Sequence, residues 1–488
     1  MADTEKEAAA YGMKIGRRTF LGALCLLVGI MILAGILTRV IPQGAYQYRD
    51  VDGRSVIIPG TYEEREGAAP LPVWRWATAP VEVLGGSRAV IAITIIVFIM
   101  LLVGSFMVLE KSGLLSYLIY KVIRRFGAKK YRLLAIMVFI CMIMGSFLGM
   151  MEETVTLVPI TIALSLMLGW DSLVGVSMSV LAVSFGFAAG TFNPFTVGIA
   201  QNLAELPLFS GFLFRLVFFA ATYGILIFFL TRYAKKIDAH PEKSLMFSRD
   251  EEIRRHYQDS LTEQREYGGE KKRALVIFAA ALVLVFCYIA AGFFVPPLSD
   301  YVMPVMALLF TAGALTAGRV AGLKGKIAKT FFKGLGSAIP SAILILLAMS
   351  VTHIMEKGNI IDTILYYFYT GIENLSPLAG ALAIYAVVLF LEFFIAGASA
   401  KAFLLIPIII PLCDMIGITR QTAVQSFILG DGFTNMFYPT NVLLLITLGI
   451  ANIPYGTWFR WIGKMLLALF IVSVVTILIA VSIGYGPF

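Results

Sequence analysis

The stretch GMMEETVTLVP, Gly149–Pro159, sets two adjacent glutamates, Glu152 and Glu153, in the most apolar part of a 488-residue chain. A carboxylate at the bilayer centre costs roughly 3 kcal/mol even on the lenient insertion scale, so two in succession require a cause. Hydrophobic residues make up 59% of the chain and charged residues 14%, far too much apolar surface for a soluble protein. An integral membrane protein is the expectation.

The net charge of +9 points to nucleic acid only until the charges are located. Apolar runs fall near 20–40, 89–109, 133–150, 154–168, 173–203, 211–231, 274–295, 301–317, 337–355, 377–396, 402–416, 421–451 and 457–483. Of the 39 lysines and arginines, 29 lie in segments 1–18, 111–132, 232–273, 318–336 and 453–464. These segments share one side if 133–168 and 377–416 are re-entrant hairpins, an asymmetry that predicts the amino terminus inside and the carboxyl terminus outside. Full spans through the hairpin arms give the same sides, so charge counting leaves that choice open. The runs 154–168 and 402–416 are only about 15 residues long, and that length favours hairpin arms. The first run, Phe20–Ile41, lacks a small-residue cleavage site and reads as a retained span. Cys25, Cys141, Cys287 and Cys413 each stand alone in apolar sequence and read as packing residues.

An offset of 248 residues aligns Gly149 with Gly397, Pro159 with Pro407, Gly169 with Gly417 and Asn193 with Asn441. The expected fold is therefore an all-α polytopic membrane protein built from inverted repeats, each with a re-entrant hairpin and a broken helix. An inside amino-terminal segment, 1–19, precedes the first repeat, 20–231, with an outer loop at 42–88, a hairpin at 133–168 and a broken helix at 173–203. A charged linker, 232–273, reads as a solvated helix, and 274–300 supplies the extra crossing. The second repeat, 301–488, has its hairpin at 377–416 and its broken helix at 421–451. In the outer loop, alternating residues around Asp52-Gly53 predict a small exposed β-hairpin.

Four polar clusters fall where such repeats place a central site. They are the tips GMMEET (Glu152, Glu153, Thr154) and GASAKAF (Ser399, Lys401), and the interruptions TFNPFT (Asn193, Thr196) and GDGFTNMFYPTN (Asp431, Thr434, Asn435, Thr440, Asn441). Proline removes a backbone donor, and glycine and asparagine tolerate unwound chain, which a membrane accepts only where protein, water or ions satisfy it. A plain helix kink is the alternative reading of Asn193-Pro194 and Pro439-Thr440, but their repeat-equivalent positions beside hydroxyls and amides favour a site. Glu153 and Lys401 share a repeat position and are expected to face each other, as a structural pair or as groups that substrate or proton competes for. Glu392, in LFLEFF, lies within a span but away from either tip, and His353 reads as an interfacial hydrogen-bonding residue or a proton relay.

The stretches GMMEETVTLVPI, NPFTVGIAQ, LPLFSG, SAKA, PLCDMIGITRQTAV, GDGFTN, PTN and NIPYGTWFRW resemble the C4-dicarboxylate anaerobic carrier (DcuC-like) family, and within it the YfcC-type basic amino acid antiporter subgroup. The resemblance implies the ion transporter superfamily, elevator-type motion, a homodimer and a bacterial cytoplasmic (inner) membrane. It also implies that the tips and broken helices line the site. Related families use a Ser-Asn-Thr tip for sodium and carboxylate, whereas here the tips hold Glu-Glu-Thr and a lysine, a departure that bears on both.

The expected function is secondary transport of a small charged metabolite, a basic amino acid such as arginine or ornithine first, by antiport or ion coupling. A proton- or sodium-coupled dicarboxylate carrier is the alternative. No cofactor, nucleic acid or enzymatic activity is expected. LGDG around Asp431 suggests an intramembrane aspartyl protease, but Ile428 stands where such enzymes need glycine. Any sodium is expected near Asn193 and Asn441.

Overall fold

A backbone in lipid has no water to bond, so apolar runs of this length form helices that satisfy their own N–H and C=O groups. The structure is a computed structural model that describes residues 17–51, 54–86, 89–251, 253–255, 269–294, 298, 301–395 and 397–486. Residues 1–16, the Asp52-Gly53 turn and residues 256–268 of the linker lie outside the described residues, as does the side chain of Glu152.

Helix α1 (Arg17–Val40) leads into two short antiparallel pairs, β1 (Gly44–Ala45) with β4 (Glu63–Glu64) and β2 (Tyr48–Val51) with β3 (Arg54–Ile57). There follow α2 (Trp74–Glu82), α3 (Ala89–Lys111), α4 (Leu114–Phe126), α5 (Lys130–Leu148) and, after a tight turn at Glu152–Leu157, α6 (Val158–Met167). Helix α7 (Ser172–Val176) passes through a π-helical turn (Ser177–Leu181) into α8 (Ala182–Ala189). A break and a second π-helical turn (Pro194–Gly198) precede α9 (Ile199–Leu203), and α10 (Phe212–Ala239) follows. The remainder comprises α11 (Gly269–Phe294), α12 (Val302–Val320), α13 (Ile327–Ser337), α14 (Ile339–Lys357), α15 (Ile361–Ile372), α16 (Pro377–Glu392), α17 (Ala398–Ile416), α18 (Arg420–Thr434), α19 (Val442–Ile450) and α20 (Tyr455–Ser482).

The chain is a nearly all-helical polytopic membrane protein, with nine helical stretches among the described residues long and apolar enough to cross a bilayer. Outward-facing Val90, Leu213, Val217 and Phe228 stay exposed, as lipid contact requires. Within the bundle, small residues allow close approach. A Cβ on Gly186 of α8 would lie 2.0 Å from the Met142 carbonyl oxygen of α5, and one on Gly432 of α18 would lie 2.2 Å from the Ala188 Cα of α8.

Four sequence expectations change. Helix α17 begins at Ala398 and has 19 residues, because the polar tip itself is helical. The basic segments 111–132 and 318–336 are not simple loops: α4 and much of α13 lie in them and bury apolar faces such as Leu114, Leu115 and Ile119. The linker is not wholly solvated, since Met246, Asp250 and Ile253 are buried against the end of the first helical half. The β2–β3 hairpin is not a free protrusion, because Val56 and Ile57 are buried and Asp362 of α15 accepts the Tyr46 N–H (2.9 Å) and the Tyr48 hydroxyl (2.7 Å).

Candidate functional site

Helix α16 ends at Glu392 and α17 begins at Ala398, so the last residues of one helix and the first turn of the next lie close together. Glu392 ends α16 and Lys401 lies in the first turn of α17. The Lys401 ammonium forms an ion pair with Glu392 and also lies 2.8 Å from Asp431 Oδ1 of α18. Gly430 and Gly432 flank Asp431 and press α18 against Val388 of α16 and Ala188 of α8, which holds the carboxylate at this depth. Lys401 and Asp431 are each 1% exposed and Glu392 7%, so the three charges meet in a site closed to solvent. The partner expected for Lys401 was Glu153; the acids in ion pairs with it are Glu392 and Asp431.

Both helix breaks are built by asparagine. Asn193 adopts φ −63°, ψ 113° and its Oδ1 accepts the N–H groups of Phe195 (2.9 Å) and Thr196 (3.3 Å). Asn441 adopts φ −74°, ψ 112° and its Oδ1 accepts Leu444 N–H at 3.1 Å. Each caps the returning helix, satisfying donors that have no intrahelical acceptor. The Asn441 amide donates to Asn435 Oδ1 (2.8 Å), and the Asn435 amide donates to the Asp431 carbonyl (3.2 Å). This chain of amides ties the second break to the charged triad. A sodium ion at either asparagine would compete with these backbone donors for the amide oxygen. Among the described residues, no group of three His, Cys, Asp or Glu side chains could hold a metal.

The first turn of α17 joins the two regions. Ser399 donates to the Phe195 carbonyl (3.1 Å) at the first break, while Lys401, two residues on, sits in the triad. The first tip also reaches that break: a Cβ on Gly149 would lie 2.4 Å from Asn193 Oδ1. Glu153 of the same tip is half-buried, and the hydroxyls of Thr154 and Thr156 bond backbone carbonyls of their own turn. The Asn193 Nδ2, Thr196 Oγ1 and Thr440 Oγ1 atoms are buried without a hydrogen-bond partner, which marks them as unsatisfied groups at the two breaks. Thr434 donates weakly to the Asp431 carbonyl at 3.5 Å.

Sequence reasoning set Glu392 apart from the tips, although its nearness in the chain was the signal that pairs it with Lys401. His353 is buried and its Nε2 lies 3.3 Å from Glu82 Oε2, at the end of α2. An apolar cavity lined by Ile99, Leu102, Phe106, Val155, Pro159 and Ile450 offers a charged ligand nothing to bond.

A family model described as C4-dicarboxylate anaerobic carrier matches residues 21–482. The YfcC protein of Escherichia coli (strain K12), provisionally named a basic amino acid antiporter, is 27% identical over 95% of this chain and 96% of its own. An uncharacterized protein of Haemophilus influenzae is 27% identical over 80% of this chain and 76% of its own. Among solved structures, the YdaH transporter of Alcanivorax borkumensis aligns with a TM-score of 0.46 and 18% identity, covering 96% of this chain and 100% of that one. The Neisseria gonorrhoeae MtrF structure, described as illuminating a class of antimetabolite efflux pumps, aligns at 0.43 and 16%, over 94% and 95% of the two chains.

Proposed function

The chain belongs to the C4-dicarboxylate anaerobic carrier family, whose members are membrane transporters rather than enzymes, and from that premise we propose that it exchanges basic amino acids across the bacterial inner membrane. The observation that carries this reading is the closed triad of two carboxylates around one ammonium, Glu392, Lys401 and Asp431.

With both acids ionised the site holds one uncompensated negative charge. An uncompensated buried charge is costly, and a cationic ligand relieves it. A carrier whose empty site is charged crosses the bilayer poorly, and one loaded with a cation crosses well; that difference turns a binding site into an obligatory exchanger. Arginine and ornithine fit the charge requirement. Their cationic end replaces or supplements Lys401 between Asp431 and Glu392. Their carboxylate meets the Asn193 amide, Thr196 and the amino-terminal end of the helix that Asn193 caps. Ser399, Thr434, Asn435, Thr440 and Asn441 set the site's polar walls, and Glu152 and Glu153 stand at the first tip as proton or substrate acceptors.

The two halves act as inverted repeats. The hairpins and broken helices move as one elevator-type body against α1–α3 and α11–α14, which form the scaffold and the homodimer contact, with the amino terminus inside and the carboxyl terminus outside. Reconstitution tests this: labelled arginine, ornithine, lysine, succinate and fumarate are offered to proteoliposomes with sodium and proton gradients varied separately. Exchange of the basic amino acids is expected. Uptake of succinate without arginine overturns the reading and leaves the dicarboxylate carrier in its place.

A further inference from the structure

At the first break the chain leaves α8 at Gly190 in a left-handed conformation (φ 48°), so the carbonyls that follow have no helical donor. One of them, Thr191, is met by Arg215 from the first turn of α10, through Nε at 3.3 Å and Nη2 at 3.4 Å. The guanidinium is completely buried, and among the described residues no carboxylate pairs with it. Its remaining contacts are the Phe209 carbonyl (3.1 Å) and the Tyr485 hydroxyl (3.4 Å), which itself donates to the Gly211 carbonyl at 2.6 Å. The far end of the same break is tied to the same loop. Gln201 of α9 accepts Phe209 N–H at 2.5 Å and donates to the Ser210 carbonyl at 2.9 Å, and Gln421 of α18 donates to that carbonyl at 2.6 Å.

The second break is held in a parallel way by neutral donors. Trp458 Nε1 of α20 donates to the Met436 carbonyl at 2.7 Å, and the Tyr455 hydroxyl donates to the Phe437 carbonyl. In each half, the helix that follows the broken one supplies the donor for the open carbonyl. Only in the first half is that donor an ion, and a buried unpaired cation is retained at a cost that a neutral donor avoids.

We propose that Arg215 is a positioning residue for transport: with Tyr485 it fixes the open carbonyl of Thr191 and thereby the placement of Asn193 and Thr196. It touches backbone and tyrosine only, so it acts through the break and not on the ligand. The inference rests on the reading that the breaks line the transport site, but its first test does not.

Amide hydrogen exchange is measured on the full-length protein in nanodiscs. Arg215→Gln is expected to raise exchange in residues 190–198 by about tenfold, the scale of a lost hydrogen bond to a charged group, with 420–434 unchanged. Arg215→Lys, which keeps the charge and one donor, restores most of the protection. Where Arg215→Gln fails to fold, Tyr485→Phe removes one partner of the same guanidinium and loosens 190–198 less. In proteoliposomes, whichever of arginine, ornithine, lysine, succinate or fumarate the wild type carries is expected to show a raised KM in Arg215→Gln with Vmax kept. Unchanged exchange at 190–198, a rise spread over the whole chain, or no rescue by lysine overturns the proposal. Absence of arginine uptake by the wild type counts against the substrate reading alone.

Discussion

The Lys401 ammonium lies 2.8 Å from Asp431 Oδ1 in a place where each side chain is 1% exposed, and Glu392 completes the ion cluster from the opposite arm of the same hairpin. Removing the one cation leaves two acids without a counter-charge. Lys401→Met is therefore expected to lower stability by about 3–5 kcal/mol and to abolish transport, as read by thermal unfolding in detergent and uptake in vesicles. The double change Lys401→Met with Asp431→Asn leaves one acid, which can protonate, and should recover folding without recovering transport. Wild-type stability in the single variant would remove the cluster from the account.

Asp250 gives the protein a pH-dependent contact. Its Oδ2 accepts Ser172 N–H at 2.7 Å, beside Asp171, which caps the same helix and takes the hydroxyls of Tyr233 (2.6 Å) and Ser244 (2.7 Å); Arg254 donates to the Trp170 carbonyl nearby. Burial first, and the charge of Asp171 second, push the Asp250 carboxyl up from 3.8 to about 7. A raised acid pKa means the docked linker binds its proton more tightly than a released one. Docking therefore weakens as pH climbs from about 4 to about 7, and the loss is complete above that. Hydrogen exchange at 244–251, corrected for its intrinsic rate, should be on the order of tenfold faster at pH 7.5 than at pH 5.5. Burial raises the neighbouring Asp171 carboxyl as well, so the Asp250→Asn variant should show a shallower profile; an unaltered pH response in it would refute the assignment.

Gly432 faces backbone. A methyl group there meets the Ala188 Cα at 2.2 Å and its nitrogen at 2.7 Å, so Gly432→Ala must separate α8 from α18. The expected cost is about 3 kcal/mol, visible as lower expression and melting temperature. Gly224 of α10 has nothing within 4 Å of its would-be Cβ, and Gly224→Ala is expected to be neutral or slightly stabilising. Equal outcomes for the two variants would contradict the packing described.

Glu153→Gln keeps the size of the side chain at the first tip and removes its charge. Folded protein at normal yield with transport lost, or no longer driven by the gradient, is the expected result. Gradient-driven exchange at the wild-type rate would leave Glu153 a structural residue.

The helical class and the membrane setting were legible because apolar runs of about 20 residues permit little else. The breaks were legible for a local reason: Asn-Pro and Pro-Thr-Asn announce unwound chain, and Asn193 and Asn441, 248 residues apart, turn out to share both backbone angles and capping role. What escaped was pairing at a distance. Lys401 was matched to Glu153 by repeat position, whereas hairpin geometry gives it Glu392, nine residues earlier in the chain. Asp431 reaches it only because two glycines let α18 sink against its neighbours, a depth that no linear pattern encodes. Arg215 escaped for a similar reason, since nothing in FLFR indicates that its partner is the Thr191 carbonyl.

The pairing of Glu392 with Lys401 inside one hairpin bears on biogenesis. Glu392 and Lys401 lie nine residues apart in one stretch that is synthesised before Asp431, so the two buried charges of that stretch can cancel as it enters the membrane. An ion pair that closes locally lowers the barrier to lateral release into lipid, whereas either charge alone raises it by roughly 3 kcal/mol. The third charge then joins a membrane-embedded pair. The order of synthesis thus assembles the most polar point of the protein without any single step that must bury an unaccompanied ion.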